Sequence, residues 1–136
     1  MRRFKIGVPF VLNTGEEVFR ENSLIDFFVE GSDRERPGTV YLTNQRLAIF
    51  HHLFGLSAMV PLESIVSVEQ FKIRQFLRRR RGFRLSFRGR GGISEIRVYP
   101  GIPVRDEAAM DWARGWVNDI LKARLGTRQK SNSSHK

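Results

Sequence analysis

Gly38-Thr-Val-Tyr-Leu-Thr-Asn-Gln-Arg-Leu-Ala-Ile-Phe50, followed by Met59-Val-Pro-Leu-Glu-Ser-Ile-Val-Ser-Val68, is the stretch that decides the fold. Thr39–Thr43 and Arg46–His51 read as a hairpin, with Val40 and Leu42 alternating against Tyr41 and Thr43. Thr43-Asn-Gln45 supplies the tight turn. Ala58–Leu62 is a short apolar strand, and the Pro61-Leu-Glu-Ser-Ile65 corner turns the chain into a longer one, Ile65–Ile73. This order describes a small sheet-built module.

The pattern continues on both sides. Upstream, Leu24–Glu30 alternates, with Ile25, Phe27 and Val29 on one face, and Gly31–Gly38 is a polar turn. Downstream, Phe83, Leu85 and Phe87 point inward while Arg84, Ser86 and Arg88 point outward. Gly89-Arg-Gly-Gly92 turns the chain back into Ile93–Tyr99. After Pro103 the apolar period changes. Ala109, Trp112, Ala113, Trp116, Val117, Ile120 and Leu121 form one helical stripe over about residues 105–125. Asp106 and Glu107 at its start, and Lys122 and Arg124 at its end, suit the helix dipole. Gly126 reads as the stop, and 127–136 as a disordered polar tail, leaving 1–126 as one domain. The expected architecture is mostly β: an antiparallel sandwich or partly open barrel of about seven or eight strands, capped by one C-terminal α-helix.

Composition removes whole classes of function. The chain has 136 residues and no cysteine, which excludes thiol chemistry, cysteine-bound zinc and disulfides. The start of the chain, Met1–Leu12, is broken by Gly7 and Pro9 and does not read as a signal peptide. No window is long and apolar enough for a membrane span. His51 and His52 are adjacent in a strand, so they face opposite ways and do not chelate together. No nucleophile elbow or phosphate-binding loop occurs, and Glu16-Glu17 and Asp106-Glu107 are sequence neighbours rather than an oriented acid–base pair. The expectation is a non-enzymatic protein without cofactor or metal, cytoplasmic or peripheral on the inner face of a membrane.

The residues quoted first carry a resemblance. Gly38-x-Val-Tyr-Leu-Thr-Asn-x-Arg-Leu-x-x-Phe50, Val60-Pro-Leu-Glu-Ser-Ile-x-Ser-Val-Glu69, Gly82-Phe-Arg-Leu-Ser-Phe87, Gly92 and the Trp-containing terminal helix are similar to the pleckstrin-homology-like (PH-like) superfold. Within it they resemble the GRAM domains, with the GLUE domain of the ESCRT-II complex a related branch. The motif is structural, with Thr43 and Arg46 shaping a turn and Leu42, Leu47 and Ile49 filling the core. What the resemblance implies is a binding module for acidic lipids, peptides or proteins.

Charge suggests the partner. The net charge is +10, and arginine outnumbers lysine 19 to 5, which favours acidic partners and bidentate contacts. Between Lys72 and Arg90 lie nine basic residues and no acid: Lys72, Arg74, Arg78, Arg79, Arg80, Arg81, Arg84, Arg88 and Arg90. The four consecutive arginines read as a loop, the remainder as one patch around it, and Arg97 as a neighbour. Phe76 and Leu77 give that loop an apolar tip, which suits an anionic membrane. The expected partner is therefore an anionic or phosphoinositide-type lipid surface. The alternative is an acidic protein, including GLUE-like ubiquitin recognition, and a third reading is single-stranded nucleic acid stacking on Phe83 and Phe87.

Overall fold

A computed structural model describes residues 7–75, 78–102 and 104–133, with the backbone alone at 75, 78, 79 and 128–133. Seven strands precede one helix: β1 (Val18–Val29), β2 (Arg36–Thr43), β3 (Arg46–His51), β4 (Gly55–Pro61), β5 (Ile65–Gln75), β6 (Arg78–Gly89), β7 (Gly92–Pro100) and α1 (Asp106–Ser133). A single turn of 3-10 helix, Leu62–Ser64, forms the corner expected at Pro61-Leu-Glu-Ser. All neighbours are antiparallel, in the order β4-β3-β2-β1-β7-β6-β5, so the sheet is not closed and β4 and β5 are its edges.

Alternation sets which residues are buried. Ile25 and Phe27 of β1, Val40 and Leu42 of β2, Leu47 and Ile49 of β3, Phe83 and Leu85 of β6, and Ile96 and Val98 of β7 meet in one core. The helix completes it with Trp116 and Ile120, both fully buried, while Trp112 and Val117 pack at its margin. Trp116 stacks on Phe83 with 5.6 Å between ring centroids, and its Nε1–H donates to Asn22 Oδ1 at 2.8 Å. Leu121, which the helical spacing put on the stripe, is instead exposed.

One close approach marks an irregularity in β1. Leu24 adopts φ 60° at a bulge in β1, and the Gly101 amide donates to its carbonyl at 2.8 Å. A Cβ on Gly101 would lie 2.6 Å from that same oxygen, so the contact requires glycine.

The turn between β2 and β3 is held by a buried ion pair. Glu16 is fully buried. Its Oε2 accepts from Arg46 Nε at 2.8 Å and from the Thr43 hydroxyl at 2.7 Å. Its Oε1 accepts from Arg46 Nη2 and the Asn13 amide, each at 2.9 Å. Thr43 Oγ1 in turn accepts the Gln45 and Arg46 amides at 3.0 Å. Thr43 and Arg46 thus shape the turn as the motif implied, and the acid that anchors them, Glu16, comes from the segment before β1.

The helix is a second correction. It runs through Gly126 to Ser133, over most of the segment expected as a disordered tail. Thr127 supplies a reason, since its hydroxyl lies 3.2 Å from the Asn44 carbonyl and 3.1 Å from the Ala123 carbonyl, tying the late turns to the sheet. The polar residues that follow include strong helix formers, so a single glycine does not end the helix.

Candidate functional site

The cluster Lys72–Arg90 is neither a loop nor one patch. Arg78, Arg79, Arg80 and Arg81 belong to strand β6, paired in register with Gln75, Arg74, Ile73 and Lys72 of β5. Only positions 76 and 77 separate the two strands, and the apolar tip expected at Phe76 and Leu77 lies outside the described residues. Four like charges in a row suggested a loop, yet the phase of β6 continues through them. Odd-numbered Arg79 and Arg81 share the phase of Phe83, and even-numbered Arg80 shares that of Arg84. From Arg79 to Arg88 the strand spans roughly 30 Å at about 3.3 Å per residue. The cations therefore fall into three groups.

The first group lies on the outer face and is neutralised by acids far away in sequence. Arg80 pairs with Asp26 at 2.9 Å and with Glu35, and its guanidinium sits 4.6 Å above the Tyr99 ring. Arg84 pairs with Glu69 at 2.6 Å and Arg97 with Glu95 at 2.9 Å. Both guanidiniums lie against the Phe71 ring, 4.7 and 4.8 Å from its centroid. The register explains the arrangement, because Phe28, Arg97, Arg84 and Glu69 face one another across β1, β7, β6 and β5. This lattice of arginine, aromatic ring and carboxylate is satisfied from within. Tyr99 beneath it is buried, and that burial raises its hydroxyl pKa above the usual value.

The second group occupies the other phase of the β5–β6 hairpin. Lys72 stands opposite Arg81, and Arg74 opposite Arg79. Directly opposed like charges destabilise a sheet. Asp106, at the first turn of α1, accepts from Arg81 Nε at 2.6 Å. Lys72 and Arg74 are exposed and form no ion pair among the described residues. A small cleft of about 170 Å³ lies beside them, lined by Gln70, Phe71, Lys72, Arg81, Gly82 and Ala113. The third group, Arg88 and Arg90, flanks the β6–β7 turn and is exposed.

The remaining candidates resolve simply. Phe83 is fully buried and Phe87 packs against the core, so neither offers a ring for a base to stack on. His51, the last residue of β3, is buried, and His52, which lies in the turn beyond the strand rather than in it, is exposed. Among the described residues no three His, Asp or Glu side chains converge on a metal site. A larger cleft of about 450 Å³ between β1 and α1 is lined by Phe19, Asn44, Asp119, Lys122, Ala123, Gly126 and Thr127. Its carboxylate is already bound to Arg20 at 2.8 Å. No helix among the described residues is long and apolar enough to cross a membrane.

Comparison with known proteins bears on the fold. No family model matches the chain, and no curated protein matches it. A solved structure described as the Vps36 N-terminal PH domain superposes with a TM-score of 0.57 at 13% identity, covering 87% of this chain and 86% of that one. The fold is PH-like: seven antiparallel strands in a bent, unclosed sheet capped by one C-terminal helix.

Proposed function

We propose that this chain is a non-enzymatic binding module that docks onto anionic lipid surfaces through the β5–β6 hairpin. The observation that carries this reading is that Lys72 and Arg74, exposed on β5, form no ion pair among the described residues. The outer-face arginines are consumed by internal pairing and contribute little to such a contact. The PH-like fold is consistent in kind, since modules of this type bind lipids or proteins.

The magnitude fixes what the hairpin contributes. A basic residue near an anionic surface is worth about 1 kcal/mol. The two that form no ion pair among the described residues, Lys72 and Arg74, give roughly 2 kcal/mol, which is weaker than millimolar affinity. Charge alone makes a weak, salt-sensitive contact, so useful docking needs an apolar or headgroup-specific addition.

Sedimentation with vesicles of mixed phosphatidylserine and phosphatidylcholine, against phosphatidylcholine alone, tests the reading. The parent should pellet with the anionic vesicles and release as salt rises. Lys72→Ser with Arg74→Ser should weaken binding about tenfold or more. Arg114→Ser with Lys122→Ser removes the same charge from α1 and should change little. Equal loss in both double variants would reduce the effect to net charge and remove the hairpin as the contact. A parent that binds single-stranded RNA but no vesicle would overturn the lipid reading.

A further inference from the structure

The cleft of about 450 Å³ between β1 and α1 has a cause in the strand pairing. β7 meets β1 only from Ile25 to Val29, so among the described residues the earlier part of β1 has no strand on that side. The helix comes alongside instead, tied by Arg20 to Asp119 and by Trp116 to Asn22, each at 2.8 Å. The cleft opens beyond those ties, towards the start of β1 and the last turns of α1.

Two features keep it open and apolar. Phe19 is the extra residue of a bulge, since Val18 faces Thr43 while Arg20 faces Leu42. Bulges re-aim side chains, and this ring, 55% exposed, lines the cleft. Gly126 lies inside α1, where glycine is a poor helix former. A Cβ there would meet nothing within 4 Å, so no close packing demands the glycine. Its effect is to leave room in the cleft. The polar groups of the walls are satisfied from within. Asp119 holds Arg20, and the Thr127 hydroxyl lies 3.2 Å from the Asn44 carbonyl and 3.1 Å from that of Ala123. The Asn44 side chain donates to the Gly15 carbonyl and accepts the Glu17 amide, both at 2.8 Å. Lys122 is exposed and forms no ion pair among the described residues. A ligand therefore meets an aromatic ring, a small side chain at Ala123, bare helix at Gly126, and one cation.

We infer that this cleft binds a small amphipathic carboxylic acid, with its apolar chain against Phe19, Ala123 and Gly126 and its carboxylate at Lys122. The volume falls within the range of about 300–1,000 Å³ of small-molecule pockets, which are mostly apolar with a few placed polar groups. An anionic head matches the one cation that lacks an acid, and a cationic head would be repelled by it. The site shares no residue with the β5–β6 hairpin, so it stands or falls independently of the docking proposed above.

Titration with straight-chain acids, followed through backbone amide shifts in nuclear magnetic resonance, tests the site. Octanoate should move the amides of Phe19, Lys122 and Gly126 and saturate, while the amides of β5 stay still. Each methylene added from hexanoate to octanoate should tighten binding by up to about fourfold, as burial of one CH₂ requires. Lys122→Ser should weaken octanoate by about three- to fivefold. Octylammonium should bind the parent more weakly than octanoate does, and the same variant should narrow that difference. Gly126→Leu should abolish binding while raising the melting temperature, because leucine is the better helix former and its side chain occupies the cleft. That opposite sign keeps a loss of binding distinct from a loss of fold. Affinity that does not grow with chain length would reduce the contact to a surface ion pair and overturn the inference. Undiminished binding by Gly126→Leu, or octylammonium binding as tightly as octanoate, would overturn it as well.

Discussion

Replacing Glu16 by glutamine tests the most consequential contact in the fold. Glutamine keeps the shape and removes the charge. The carboxylate now accepts four hydrogen bonds, two from Arg46 and one each from Thr43 and the Asn13 amide. In glutamine one oxygen still accepts, but the amide nitrogen must face either Arg46 Nη2 with the Asn13 amide or Arg46 Nε with Thr43. On the first side two donors meet a donor. Hydrogen bonds to charged groups contribute about 1.5–3 kcal/mol each, and breaking one side of a buried pair costs about 3–5 kcal/mol. The Arg46 side chain is 17% exposed and still donates to the Val11 carbonyl at 2.8 Å, which places the loss near the lower end, about 3 kcal/mol. At a urea slope of about 1.5 kcal/mol/M the midpoint should fall by about 2 M. The same site predicts a pH dependence. Burial alone would raise the Glu16 pKa, but Arg46, the Asn13 amide and Thr43 together lower it below the usual value. A carboxyl with a lowered folded pKa stabilises fully above its unfolded value, about 4.3, and loses that contribution as pH falls through the folded value. The parent should therefore lose stability on acidification below about pH 4.3, and the glutamine variant should show a smaller slope there. An unchanged urea midpoint at neutral pH would refute the claim that this pair holds the turn.

Trp116→Ala removes a fully buried ring that stacks on Phe83, lies under the Arg20 guanidinium at 4.8 Å and satisfies Asn22. Denaturant unfolding should show a loss of about 3–5 kcal/mol, and a midpoint equal to the parent's would mean that the stripe is not core. Gly82→Ala would place a Cβ 2.0 Å from the Val98 carbonyl and 2.9 Å from the Tyr99 ring, so β6 must shift against β7. Thermal melting should show a destabilisation of about 1–3 kcal/mol, and a neutral result would mean that the approach is looser than described.

Local alternation made the strands legible. Val40, Leu42, Leu47, Ile49, Phe83, Leu85, Ile96 and Val98 were readable as core because period two states which face is buried before any partner is known. The fate of the arginines was not readable. Arg80 finds Asp26 and Glu35 from 54 and 45 positions away, and Arg46 finds Glu16 from 30 away, and nothing local to either partner announces the pairing. The sequence reading also treated charge run and strand as exclusive. A strand needs only an outer face that water or carboxylates can satisfy, and Asp26, Glu35, Glu69 and Glu95 supply it. The bend at Phe54-Gly-Leu56 was legible from its glycine, but the exposure of Leu53 and Phe54 was not, because an apolar pair at a bend carries no local sign of whether it faces the core or water.

The free edge of β5 has a consequence for the behaviour of the protein in concentrated solution. An edge strand offers unpaired amides and carbonyls to any other strand, including the same strand of a second molecule. Over its eleven residues β5 carries apolar Val66, Phe71 and Ile73, a composition that invites such addition. Lys72 and Arg74 oppose it, since two copies of this edge brought together would confront cation with cation. The side chains proposed to attract an anionic surface are thus also those that keep the molecules apart. Discharging them, by substitution or by saturation with a soluble polyanion, unguards the edge. Self-association should be sought under those conditions, and any binding measured there should be separated from aggregation.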